Sequence, residues 1–331
     1  MALSNESKFS MAAMTEAVNL LPNTATQIRA LNAFAPKMGT TTYITVEHQD
    51  GVLSLVQTAP RGSAGAASQR ATRTKRTFEI PHLVREDFIL ADEVQNVHEF
   101  GNPAKAQAVE KVVLERLATM KSDIEFTREH LMLGALLGDI KDANGETLYN
   151  LYDEFGLTRQ VFNWKLNTKT TQVGALMDNA KRALRKHARG EVVNGFIALC
   201  SPEFFDKFKY HDSIKESLLR YQEASAYRND TGASLSYNGV DFIEYYGDFG
   251  EGGAKIEAGQ AILLPKGTRN TFVERFAPAD TNSAVNTVAQ PMYAQRVKDP
   301  SGLDKGWKVE VQSNPLPLCL RPNLVATLTM D

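Results

Sequence analysis

Between Val109 and Leu131, apolar side chains recur in steps of three and four: Val109, Val113, Leu117, Met120, Ile124 and Leu131, with Thr127 keeping the register. That period puts one continuous stripe on a helix of about 30 residues, roughly 45 Å long at 1.5 Å per residue. Asn102 suits an N-cap and Pro103 the first helical position, so the spacing predicts a helix over about 103–137. Its other face carries Glu110, Lys111, Glu115, Arg116, Lys121, Glu125 and Arg128, which reads as a solvated face with intrahelical pairs.

Upstream the pattern changes period. Residues 7–20 place Met11, Met14 and Val18 at helical spacing, and after Pro22 the chain reads as an irregular arm to about Pro36. The run Thr40 to His48 is β-branched and aromatic with partial alternation, a strand. Asp50-Gly51 is a hairpin-type turn before a second strand, Val52 to Val56. From Arg61 to Phe78 no acid occurs, while Arg61, Arg70, Arg73, Lys75 and Arg76 stand among Gly, Ala, Ser and Thr. Such a segment buries too little apolar surface to order itself alone. Strand character returns at Thr77 to Ile80 and Pro81 to Val84. The whole is a long β-loop with a basic tip, and an isolated ribbon of this kind needs a partner surface.

Beyond the long helix, Asn144-Gly145 reads as a tight turn between Leu136-Leu137 and Thr147-Leu148-Tyr149. Asp139, Asp142 and Asn144 invite a calcium loop, but with Gly145 at its sixth position the first and twelfth would be Ile140 and Leu151, where carboxylates are required. A second lobe opens near Thr171. Val173, Leu176, Met177, Ala180 and Leu184 form a helical stripe stopped by Gly190, and Val192 to Leu199 is a strand. Ser201-Pro202 starts a helix before Phe204, Phe205 and Phe208; Tyr237-Asn238-Gly239 is a turn before Val240 to Tyr246. A Gly-rich loop over 247–259 leads to the buried strand Ala261 to Leu264. Strands close the chain at 307–311, 316–320 and 324–328, and no internal repeat is evident.

Composition adds limits. The chain has 331 residues, 43% hydrophobic and 23% charged, with a formal net charge of -2. It is long enough for more than one folded lobe, and its balance argues against whole-protein attraction to nucleic acid or an anionic membrane. Met1 to Ser10 lacks a signal-peptide core and no window of about 18 apolar residues occurs, so neither export nor a membrane span is expected, and the cytoplasm is the expected site of synthesis. Cys200 ends the apolar run from Phe196 and Cys319 lies far from it, which suits buried free thiols.

Candidate chemistry is sparse. His48, His82, His98, His130, His187 and His211 form no HxH or HExxH, and neither GxSxG nor a Walker loop is present. Gly250-x-Gly252-Gly253 is not GxGxxG and reads as a flexible loop. No catalytic residue, cofactor or metal is expected, although a triad assembled from distant positions is visible in no single sequence. Two basic clusters remain: the loop tip (Arg61, Arg70, Arg73, Lys75, Arg76) and the helix opening the second lobe (Lys181, Arg182, Arg185, Lys186, Arg189). Either suits nucleic acid or an acidic patch on a neighbouring copy. The plainer alternatives are a solubilised loop and a solvated helix face. Aromatic residues interleave with neither, which weakens a single-strand nucleic-acid reading.

The order of these pieces resembles the major capsid protein family of lambda-like tailed bacteriophages. The matching stretches are the β-loop from Thr40 to Leu90, the spine helix from Pro103 to Gly138, the hairpin Gly138 to Glu146, Val192 to Leu218, and the ending Val311-Gln312-Ser313-Asn314-Pro315-Leu316-Pro317-Leu318 before a last strand. The resemblance implies the α+β Hong Kong ninety-seven capsid fold shared by tailed phages and herpesviruses. It implies an N-terminal arm (1–37), an extended β-loop (38–92), a peripheral domain (93–170 and 271–331) containing the spine, and an axial domain (171–270).

By the same resemblance the protein is structural. Hexamers and pentamers would assemble around scaffolding protein into an icosahedral procapsid with a portal at one vertex, expand during packaging of double-stranded DNA, and in some relatives carry a decoration protein. The loop-tip bases are then the candidate intersubunit or decoration contact. The second-lobe helix is a candidate DNA-facing or interface surface. Two alternatives stay open. An encapsulin-like cellular compartment shares the fold but holds a cargo enzyme and no DNA. A cytosolic hydrolase with a dispersed active site would be a small fixed oligomer with a deep pocket.

Overall fold

A computed structural model describes residues 10–22, 26–49, 73–94, 98–99, 102–106, 109–188, 192–220, 234–299, 302–303 and 305–331. The chain divides into two compact units, one of residues 1–44, 79–131 and 274–317, the other of 45–78, 132–273 and 318–331.

The first unit is built on the predicted apolar stripe. Val113, Leu117, Met120 and Ile124 of the spine helix share one core with Ile89, Met292, Ala294, Val309 and Val311 of an antiparallel sheet and with Met14 and Val18 of an arm helix. The sheet orders the strands Tyr293–Lys298, Gly306–Ser313 and Leu83–Leu90. The arm helix, Met11–Leu20, begins at Ser10, whose hydroxyl accepts from the Ala13 N–H at 3.3 Å. A single helical turn, Gln27–Ala30, follows.

Two expectations change here. The spine helix runs Val109–Leu137, not from 103, because Asn102–Ala106 is a strand paired with His98–Glu99. A two-stranded ribbon leaves every strand an outer edge, so Pro103, with no N–H to donate, is tolerated there as readily as in a first helical turn. The helix's charged face is also not uniformly solvated. Lys111, Glu115 and Arg116 are exposed, but Lys121, Glu125 and Arg128 are buried at 3%, 2% and 5% exposure, together with Glu129 and His130. The partners of Lys121, Glu125, Arg128 and Glu129 come from distant segments of the same unit, the arm and Glu274.

The second unit is a six-stranded mixed sheet ordered Ser234–Tyr237, Val240–Glu244, Gly195–Cys200, Gln260–Lys266, Ala326–Thr329 and Gln160–Asn163. Alternate residues Phe196, Ala198 and Cys200 of its third strand share a core with Met177 and Leu184 of the helix Val173–His187, Phe204 and Phe208 of Pro202–Lys209, and Ile214 of Asp212–Arg220. Phe208 stacks on Phe242 at 3.9 Å, with Trp164 at 6.2 and 6.1 Å from the two rings. Local signals are obeyed closely. Ser201 caps the helix behind Pro202, accepting from the Phe204 N–H at 3.3 Å. Asn238 (φ 48°) and Gly239 (φ 74°) both turn left-handed between paired strands, the backbone that a two-residue hairpin of this twist demands.

The last strand sits within this sheet, Ala261 opposite Leu328, and its Ala326 and Leu328 enter the aromatic core. Residues 318–331 therefore group with 132–273, and 274–317 with the spine.

Tyr43–Gln49 pairs with Arg73–Glu79, so Arg73, Lys75 and Arg76, expected at the loop tip, stand on a strand of the ribbon instead. Phe78 anchors that ribbon, edge-on to Tyr149 at 5.1 Å and 6.0 Å from Phe155. The expected turn at Asp50-Gly51 and strand at Val52 to Val56 lie outside the described residues.

Candidate assembly surfaces

The described residues hold no group of three or more His, Cys, Asp or Glu able to bind a metal ion, and no helix among them is long and apolar enough to cross a membrane. Burial pushes the Cys200 thiol well above its ordinary range and the Cys319 thiol up to about 12, so neither is a ready nucleophile at neutral pH. His211 is held at both nitrogens, by Ser213 Oγ at 2.9 Å and the Thr168 carbonyl at 3.1 Å. It lines an open cavity of about 540 Å³ with Leu166, Tyr210 and Asp206, where nothing is arranged as nucleophile and base.

The two basic clusters meet different fates. In the ribbon, Lys75 and Arg76 are exposed and Arg73 lies on the same strand, while Arg61 and Arg70 fall outside the described residues. On the second-lobe helix, Lys181 leaves the set. It is buried, its Nζ 2.8 Å from Asp178 and donating to the Asn238 carbonyl at 2.7 Å, which ties the helix to the Asn-Gly turn. The Lys181 hydrogen bond in turn holds the Asp178 carboxyl below its usual range. Arg182, Arg185 and Lys186 stay exposed, Arg185 lying 5.5 Å above the Phe196 ring, and Arg189 is outside the described residues. Among the described residues the basic face is three cations, spaced so that they share one side of the helix.

A third constellation escaped the sequence reading. The Lys121 ammonium donates to the carbonyls of Val18 at 3.0 Å and Leu21 at 2.7 Å. Glu125 pairs with Arg29 at 2.6 Å, and the Glu129 carboxylate accepts from the N–H groups of Ile28 at 2.6 Å and Arg29 at 3.3 Å. Arg128 forms a two-pronged pair with Glu274, at 2.9 and 2.8 Å, beneath the Phe276 ring. Burial pulls the Lys121 ammonium below its ordinary pKa, and the nearby Arg29 and Arg128 pull the same way against Glu125. One signal was available: residues 121, 125, 128 and 129 repeat at the same helical spacing as the apolar stripe beside them, which is how a second buried face reads when its partners are polar.

The fold has solved counterparts. A crystal structure of the putative capsid protein of a prophage of E. coli CFT073 matches with TM-score 0.60 at 14% identity, covering 97% of this chain and 99% of the other. A chain from Mycobacterium phage Che8 matches at TM-score 0.50 and 10% identity, over 87% and 84%. The phage major capsid protein E family matches residues 10–330, and the chain belongs to that family. It is 28% identical to the major capsid protein of Pseudomonas phage KPP10, over 97% of this chain and 96% of that one, and 25% identical to that of Salmonella phage Felix O1, over 99% and 98%. The α+β tailed-phage capsid fold expected from the sequence is the fold observed.

Proposed function

We infer that this chain is the major subunit of a tailed-phage head, a structural component of the virion that works by assembling with copies of itself. The family match across residues 10–330 carries that reading, and the hydrolase alternative falls with it.

The finer picture extends it. Hexamers and pentamers form around scaffolding protein in the host cytoplasm, a portal occupies one vertex, and the shell closes over double-stranded DNA read without regard to sequence. The six-stranded lobe serves as the axial domain. The spine with the three-stranded sheet is the peripheral domain, residues 1–37 the arm, and the ribbon the extended loop. The exposed Lys75 and Arg76 support a ribbon that docks on an acidic neighbour, or on a decoration protein; Arg182, Arg185 and Lys186 support a second contact with DNA or a neighbouring copy. Contacts of this kind set register and salt sensitivity more than raw affinity.

Negative-stain electron microscopy of the chain expressed alone, beside size-exclusion light scattering, tests the reading. Shells, tubes or five- and six-membered rings are expected, on addition of scaffold if not without it. A stable dimer or tetramer that forms nothing larger across salt and concentration, with scaffold present, overturns it.

A further inference from the structure

Among the described residues the strand Tyr293–Lys298 ends its sheet, and side chains of the arm helix stand at the edge it presents. Thr15 does for Ala294 what a neighbouring strand would: its Oγ1 accepts from the Ala294 N–H at 3.2 Å and sits 3.4 Å from the Ala294 carbonyl, to which it donates. One turn on, Asn19 Nδ2 donates to the Met292 carbonyl at 3.0 Å. An edge strand stripped of such cover is a template for another strand.

Polar contacts hold the cover in place beside its apolar ones. The arm helix has no basic residue in its last turn, and its terminal carbonyls at Val18 and Leu21 take their cation from Lys121 of the spine. Its apolar anchorage is Met14 and Val18, buried in the spine core, with Leu21 packed against the same core and Met11 against Ala279, Ala284 and Tyr293. Beyond the covered positions the same strand carries Val297 at 52% exposure.

We propose that the arm helix is a removable guard of this sheet edge, that Lys121 is its latch, and that a second copy of this chain, presenting the same edge, pairs with the strand once the latch is broken. Two identical bared edges satisfy each other antiparallel about a two-fold axis, so no other partner is needed. The proposal does not depend on shell formation, since edge pairing is a property of the subunit.

The test uses the full chain under conditions where the wild type stays unassembled, reading amide exchange and light scattering together. Lys121→Met keeps the buried stem and removes the charge; with two charge-assisted hydrogen bonds gone, exchange over 11–21 should quicken about 10- to 100-fold. The variant should then associate into species in which Ala294 is protected again. Thr15→Ala with Asn19→Ala reaches the same state from the guard's own side. Adding Val297→Lys, a charge on the bared edge, should abolish association while the arm stays loose. Unchanged arm exchange in Lys121→Met, with the Gly195–Cys200 strand still protected, overturns the latch. A loosened arm with wild-type scattering overturns the guard, as does association that Val297→Lys leaves intact. Should Lys121→Met lose protection in Gly195–Cys200 as well, the Thr15/Asn19 pair decides the matter by the same readings.

Discussion

The two units bury opposite kinds of interior. In the six-stranded lobe the centre is aromatic, Phe208 on Phe242 beside Trp164, and almost all of it follows from apolar periodicity. Around the spine, an apolar core adjoins a buried set of charges: Lys121, Glu125, Arg128, Glu129 and Glu274. Non-directional burial suits a lobe that must hold one shape. A buried ion network contributes less net stability than apolar packing of the same volume, but breaking one member of it is costly. It therefore specifies where the arm lies more than it strengthens the fold.

The sharpest test of that contrast compares pairs. Phe208→Ala should cost about 3–5 kcal/mol through the cavity it leaves, and Arg128→Met about 3–5 kcal/mol through the stranded Glu274 carboxylate. The second changes then diverge. Glu274→Met placed on Arg128→Met should recover much of the loss, whereas Phe242→Ala on Phe208→Ala should deepen it. The chain has two tryptophans, Trp164 in the lobe and Trp307 beside the spine, so single-tryptophan versions followed in urea read each unit by itself. A double variant no more stable than Arg128→Met alone would show the charges to be uncoupled.

A smaller effect should appear in alkali, and in the lobe. Burial raises the Tyr152 phenol from its ordinary 10.0 to about 12, and Cys319 from 9.0 to about 12. Both are favoured in their neutral forms by folding. Their contribution is complete below pH 9 and is lost as pH climbs through about 12, because the unfolded chain gives up these protons first. Unfolding of the Trp164 unit measured from pH 8 to 11.5 should show this decline, and Tyr152→Phe should flatten part of it. A slope untouched by that substitution would assign the decline elsewhere.

The smallest difference separates two adjacent cations. Lys181→Met should cost about 1–3 kcal/mol, because the Asn238 carbonyl and Asp178 lose the charged donor that the buried Lys181 supplies. Arg182→Ser, at an exposed position, should stay within about 0.5 kcal/mol and alter only the salt dependence of assembly. Equal losses would put both on the same footing and restore the five-residue cluster as one surface.

Much of this molecule was determined by its sequence alone. The spine stripe, the helix start at Ser201-Pro202, the Asn-Gly turn at 238–239, and the aromatic helices of the lobe are set by neighbours within a few residues, where side-chain spacing and backbone preference decide the outcome. The run ending at Leu318 carried the family resemblance for the same reason. The turn at 144–145 also forms, but between Asp139–Lys141 and Thr147–Asn150, since Leu136-Leu137 end the spine helix. Tertiary structure decided the rest. It made Asn102–Ala106 a strand, returned Arg73–Glu79 to pair with Tyr43–Gln49, and seated Ala326–Thr329 between strands from elsewhere in the chain. It also turned Lys121, Glu125 and Arg128 inward and withdrew Lys181 from the basic face. A charge on a helix looks the same in sequence whether water or a distant carbonyl faces it, and only the folded chain brings Val18, Leu21, Arg29 and Glu274 close enough to replace the water.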